Sequence, residues 1–213
     1  MKYFLSLFVL LLLFSACKKE KTTENPYSGC PYGQSFVKME SLLAHSEGMI
    51  PFQLGLSWNY ADSTWENGIL KSAGRSSIFV VSAEKSGSDY WWKLSDGNQL
   101  CTQNDTVYKL NINGMVPERT TACPEKTILF YPVPDGPAWD WYEISGDMVF
   151  PGEASVYDGI IHTEIGDFEN CYQFKRGNFT RIIQPGVGIV KIITIDGNLV
   201  NEKTLLNYMV SEQ

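Results

Sequence analysis

From Pro51 onward the chain is cut at short intervals by tight-turn signals. They are Ser86-Gly87-Ser88, Asp96-Gly97-Asn98, Asn113-Gly114, Ser145-Gly146-Asp147, Arg176-Gly177-Asn178 and Asp196-Gly197-Asn198. Asp-Gly and Asn-Gly supply the positive φ angles that two-residue hairpins require. Between the signals lie apolar or alternating runs too short for helices: 53–60, 77–83, 89–94, 106–112, 127–131, 138–144, 160–165, 171–175, 179–183, 188–195 and 205–210. Hairpin after hairpin at this spacing predicts an all-β, antiparallel domain. The one helix expected is short and N-terminal, over 35–46, where Phe36, Met39, Leu42 and Leu43 share a helical face, with Ser35 as cap and Gly48 as stop.

The chain also echoes itself. Pro51, Gly55, Trp58 and Tyr60 are spaced as Pro132, Gly136, Trp139 and Trp141 are. Thirty-two residues after each leading Trp begins an aromatic run, Tyr90-Trp91-Trp92 in one half and Cys171-Tyr172-Gln173-Phe174 in the other. Two related halves that build one sheet are the expectation.

The first seventeen residues set the compartment. Lys2 is followed by an apolar run from Tyr3 to Phe14, broken only by Ser6, and then by Ser15, Ala16 and Cys17. The run is shorter than the roughly 20 residues that span a bilayer, and its layout is that of a secretory leader. A small-small-Cys exit resembles the bacterial lipoprotein box, in which the Cys thiol is acylated and becomes the mature N-terminus. The division expected is therefore a signal peptide over 1–16, a lipidated Cys17 and tether over 17–33, and one β-rich domain over 34–213. The tether, Lys18 to Gly33, is polar and breaker-rich. No Asp follows Cys17, which resembles an outer-membrane address with palmitate-type acyl chains as the membrane contact.

Charge and cysteine usage narrow the partners. The sequence carries a net charge of −7, which argues against nucleic acid and against electrostatic docking on anionic lipid. Beyond Cys17 there are Cys30, Cys101, Cys123 and Cys171, an even number in an oxidising compartment, with three pairings open. Cys101 and Cys123 flank the Asn113-Gly114 tip and form the preferred pair, although a two-residue turn there would set Cys101 opposite Lys126. Cys30 with Cys171 follows by elimination. With His45 and His162 the only histidines and no Cys-x-x-Cys, neither a zinc site nor a cofactor is expected.

Three groups of residues further on resemble a broad set of Bacteroidota lipoproteins without assigned activity. They are Gly166-Asp167-Phe168-Glu169-Asn170-Cys171, then Pro185-Gly186-Val187-Gly188-Ile189-Val190-Lys191, then Leu205-Leu206-Asn207-Tyr208; the Pro51–Tyr60 opening matches as well. The resemblance covers about residues 50–210 by motif. It implies a strongly curved antiparallel sheet, a half-barrel or open barrel like that of lipoprotein carriers. It brings no catalytic residues.

The chemistry on offer is that of binding rather than catalysis. Trp92, Trp141 and Tyr142, with Asp140 or Glu143 as acceptor, are the candidate ring faces for a glycan. Neighbouring strand residues point to opposite faces, so Trp91 and Trp92 cannot share one. Asp135, Asp140, Glu143, Glu164, Asp167 and Glu169 offer no spacing that selects a catalytic pair. His162 reads as a partly buried, hydrogen-bonded histidine. Asp62-Ser63-Thr64 and Asp105-Thr106-Val107 resemble a short O-glycosylation signal, with Ser63 and Thr106 as acceptors. The expectation is a non-enzymatic envelope lipoprotein that binds or scaffolds. A carrier of an apolar lipid and a glycan binder or glycan-active enzyme are the alternatives.

Overall fold

The computed structural model describes residues 37–39, 45–112, 124–145 and 148–210, and every regular element among them is a strand. In chain order these are β1 (Val37–Met39), β2 (His45–Ser46), β3 (Phe52–Gln53), β4 (Leu56–Glu66), β5 (Ile69–Ser86), β6 (Asp89–Leu94), β7 (Gln99–Gln103), β8 (Thr106–Ile112) and β9 (Pro124–Phe130). The second half holds β10 (Trp139–Ser145), β11 (Met148–Val156), β12 (Ile161–Thr163), β13 (Gly166–Phe168), β14 (Tyr172–Arg176), β15 (Phe179–Gln184), β16 (Gly188–Asp196) and β17 (Leu199–Val210).

Twelve of these strands run in the order β10-β11-β14-β15-β16-β17-β4-β5-β6-β7-β8-β9, and each neighbouring pair is antiparallel. The sheet is thus two six-stranded meanders, β4 to β9 and β10 to β17 without the β12–β13 hairpin. They are joined where β17 pairs with β4 from Leu199↔Glu66 to Val210↔Leu56. Pro-x-x-x-Gly-x-x-Trp opens each meander, so the repeated motif marks the first strand of each half.

The two outer strands, β9 and β10, meet without a backbone ladder. Side chains close the seam instead: Trp141 Nε1 donates to the Leu129 carbonyl at 2.9 Å, Asn111 Nδ2 to Ile144 at 3.0 Å, and the Tyr131 hydroxyl to Asp140 at 3.2 Å. These bonds satisfy edge carbonyls that a full barrel would pair with backbone N–H groups. The result is a strongly curved, nearly closed barrel, as expected.

Of the span 35–46, where a helix is expected, the described residues are strand rather than helix. Val37–Met39 is a strand that pairs with Lys85–Ala83 of β5, and His45–Ser46 pairs with Phe52–Gln53. The reason is an unfilled edge. β4 covers β5 only up to Phe79, whereas β5 runs on to Ser86, and β1 takes the backbone groups left over.

The meander topology sorts the turns into two ends. At one end lie 87–88, 104–105, 131–138 and 185–187, and here the 45–55 segment folds under the barrel as a plug. Gly186 N donates to the Gly48 carbonyl at 3.1 Å, and Thr102 Oγ1 to the Ile50 carbonyl at 3.2 Å. Met49, Ile50 and Phe52 are buried there. β1 also enters at this end, since Val37 lies opposite Lys85. At the other end lie the turns at 67–68, 95–98, 177–178 and 197–198. The β4–β5 and β16–β17 hairpins rise beyond the barrel as a flap, tied by Asn67 N to the Asn198 carbonyl at 3.2 Å.

Candidate functional site

The inward-facing positions of the strands divide the lumen into a dry floor and a polar upper part. On the floor sit two aromatic groups, one within the first half and one where β9 of that half meets β10 and β14 of the second. Phe52 packs edge-on to Trp58 with centroids 6.0 Å apart and stacks on Trp92 at 6.1 Å. Phe130 lies 4.9 Å from Phe174 and 6.4 Å from Trp141. Offset and edge contacts of this kind are the preferred aromatic geometries.

The motifs of the sequence converge on this floor. Trp58 Nε1 donates to the Val187 carbonyl at 2.8 Å, and the Tyr60 hydroxyl to the Ile189 carbonyl at 3.0 Å. The Pro51–Tyr60 opening is thereby clamped to the Pro185–Lys191 turn. Gly188 has φ +109°, and a Cβ there would stand 3.0 Å from Trp58 Nε1, so glycine is required on both counts.

Above the floor is a cavity of about 170 Å³ that reaches the turn end of the barrel. Apolar side chains from most strands form its wall, among them Ile78, Leu94, Leu100, Leu129, Ile189 and Ile192. Its polar groups are Glu143, Arg181, Lys109, Asp96 and Asn98. Glu143 is 5% exposed. Its two oxygens receive Arg181 Nη1 and Nη2 at 3.3 Å each, and Arg176 Nη1 stands 3.2 Å from Oε2. The Arg181 guanidinium lies 4.4 Å from the Phe179 ring and 5.6 Å from that of Phe130, and Arg176 lies 4.5 Å from that of Phe150. Stacking covers the guanidinium faces while their edges bind the carboxylate. Asp96, exposed at the rim, accepts from Asn98 N at 3.0 Å and Asn98 Nδ2 at 2.8 Å. Lys109 is half-buried, and among the described residues no carboxylate stands within ion-pair distance of its ammonium.

The expected ring faces are not gathered into a platform. Trp92 and Trp141 are fully or nearly fully buried on the floor, and cannot offer a ring to a glycan. Trp91 does take the opposite face, as strand alternation demands, but is buried there with Cys101, Leu110 and Tyr108. Beside it Lys126 pairs with Asp89 at 2.8 Å, with both side chains about nine-tenths buried. Tyr142 and Asp140 are exposed on the convex side, next to the β9–β10 seam. Glu143, one of the two expected acceptors, faces the lumen instead of a glycan platform, and its partners Arg181 and Arg176 and the nearby Lys109 are not singled out by the sequence. Only the closure of the sheet brings β8, β10, β14 and β15 around one space.

Cys101 and Cys171 are buried free thiols, not the half-cystines expected; Cys30 and Cys123 lie outside the described residues. The strands flanking residues 113–123, β8 and β9, do pair, but Cys101 sits one strand earlier, on β7, and is opposite Tyr108 of β8. Burial pushes both thiols up to about 11; at Cys101 nearby Lys126 opposes the shift and Asp89 adds to it. Cys171 Sγ donates to Gln184 Oε1 at 3.2 Å. His162 is hydrogen-bonded, with Nδ1 2.8 Å from Asp167 Oδ1, but it is exposed rather than partly buried. Ser63 and Thr106 are half-buried strand residues, and Ser63 Oγ accepts from Trp65 Nε1 at 2.9 Å. Cys17 lies outside the described residues. Among those residues, no group of His, Cys, Asp and Glu could hold a metal ion.

No protein-family model matches the chain, and no curated protein is similar to it. Among solved structures, a protein from Parabacteroides distasonis provisionally described as a lipoprotein is similar at TM-score 0.39 and 16% identity, over 76% of this chain and 99% of that one.

Proposed function

We propose that this chain is a non-enzymatic lipoprotein of the bacterial outer membrane, held by acyl chains on Cys17, and that its barrel is a binding module. The observation that carries the reading is the polarity of the barrel. The anchored side of the chain enters through β1 at the plugged end, while the cavity opens at the other. A tether at the plugged end leaves the mouth free for a ligand. The anchor itself is argued from the leader and from the residues before Cys17. Burying an acyl chain contributes about 0.8 kcal/mol per methylene, enough for stable attachment when more than one chain is added.

Of the alternatives, the lipid carrier is disfavoured. The floor is filled by the protein's own aromatics, and the remaining 170 Å³ is below the roughly 300–1,000 Å³ of sites for larger ligands. The glycan reading keeps only Tyr142 and Asp140, which lie outside the lumen. Palmitate labelling tests the proposal. The native protein should take the label and fractionate with outer membrane, and Cys17→Ser should lose the label and release the domain into the soluble envelope fraction. An unlabelled protein in the cytosol with residues 1–16 attached would overturn it.

A further inference from the structure

We infer that the open end of the lumen binds a small monocarboxylate with an apolar body, about the size of one substituted benzene ring. The inference rests on the reading of the barrel as a binding module and adds the class of ligand. The size comes from the cavity, since its 170 Å³ is close to an engineered apolar cavity of about 150 Å³ that takes benzene. The apolar body follows from the floor and wall, where Phe52, Trp58, Phe130, Leu100 and Ile192 face the space.

The carboxylate follows from the charge left over. Glu143 is saturated by Arg176 and Arg181, so that trio holds one surplus positive charge. Lys109 adds a second, with no carboxylate of the described residues within ion-pair distance of it. Asp96 offsets one of the two, but it sits exposed at the rim and its oxygens are engaged by Asn98. Arg176, which holds Glu143 without itself lining the cavity, thus leaves the group one positive charge in surplus inside a protein whose net charge is −7. An ammonium ligand would meet Arg181 and Lys109. A neutral one would leave Lys109 half-buried and unpaired, and an unpaired charge is costly in such a setting. A carboxylate on Lys109, flanked by Arg181, satisfies both constraints.

The experiment uses the whole mature chain with Cys17→Ser and three probes of matched size: phenylacetate, phenylacetamide and 2-phenylethylamine. Titration is followed by calorimetry and by tryptophan fluorescence, to which Trp58 in the cavity wall contributes as one of six tryptophans. Phenylacetate should bind at least tenfold more tightly than the amide, and the amine should not bind. Lys109→Met should bring phenylacetate down to the level of the amide. Ile192→Phe, which fills the cavity, should weaken both. Unchanged urea midpoints establish that the variants fold. Equal binding of acid and amide, or preference for the amine, would overturn the carboxylate assignment and leave the binding module standing. Failure of all three probes, or binding indifferent to Ile192→Phe, would overturn the site and with it that reading of the barrel.

Discussion

The two ends of the barrel are built from the same strands by opposite chemistry. At the plugged end the inward side chains are Phe52, Trp58, Trp92, Phe130, Trp141 and Phe174, packed ring against ring with the indole N–H groups of Trp58 and Trp141 given to backbone carbonyls. At the open end the inward positions carry Glu143, Arg176, Arg181, Lys109 and Asn111. The lesson is a division of labour along each strand: two or three residues at one level close the barrel by packing, and those above can be polar because they pair with one another.

The largest test of that contrast is Trp58→Ala. It removes a buried ring, its bond to Val187 and the partner of Gly188, and should lower unfolding free energy by about 3–5 kcal/mol in urea titration. A loss under about 1 kcal/mol would show that the floor does not hold the barrel.

Glu143→Gln is next. It strips the buried carboxylate from two arginines and should cost about 2–3 kcal/mol, below the range of a fully buried pair because both arginines keep some water. Adding Arg181→Met should recover part of the loss. A double variant worse than the single would show that Arg181 has a stabilising role apart from Glu143.

The thiols give a pH test. Cys101 and Cys171 are raised from 9.0 to about 11, so the fold favours their neutral forms. That stability is complete below about pH 9 and is lost as pH rises through about 11. The urea midpoint of the parent should fall more steeply between pH 8 and 11 than that of Cys101→Ser with Cys171→Ala. Ellman's reagent should react with neither thiol below pH 9 until urea is added.

The smallest effect belongs to the flap. Lys71 pairs with Glu66 at 2.9 Å with both side chains about half exposed. Glu66→Gln should move the midpoint by less than about 0.5 kcal/mol. A larger loss would mean that the flap docks on the barrel more firmly than its exposed strands suggest.

What could be read in advance follows the same division. β6 and β8 match the runs 89–94 and 106–112 because apolar alternation and flanking Gly turns agree there. The far parts of β4 and β5 could not be read, since residues 61–76 leave the barrel and carry Asp62, Ser76 and other polar residues on the flap. There Ser76 Oγ donates to Asp62 at 2.9 Å and Lys203 Nζ to Ser76 at 2.9 Å. β11 was hidden by Pro151 and Gly152, residues that normally end strands. Gly152 is needed there because a Cβ would run into the Lys175 carbonyl and the Trp141 ring, and Pro151 is tolerated because β14 pairs with β11 only from Glu153 onward.

The sequence by itself determined the all-β class, the two related halves and most of the turns, because each is a matter of local backbone preference or of pattern along the chain. Closure of the sheet decided everything that depends on distant strands meeting. Trp92 and Trp141 became floor instead of surface, β1 became a strand because β5 had an edge to fill, and Lys109, Glu143 and Arg181 from three strands came to face one cavity. Local chemistry sets which way a side chain can point; only the curvature of the whole sheet sets what it points at.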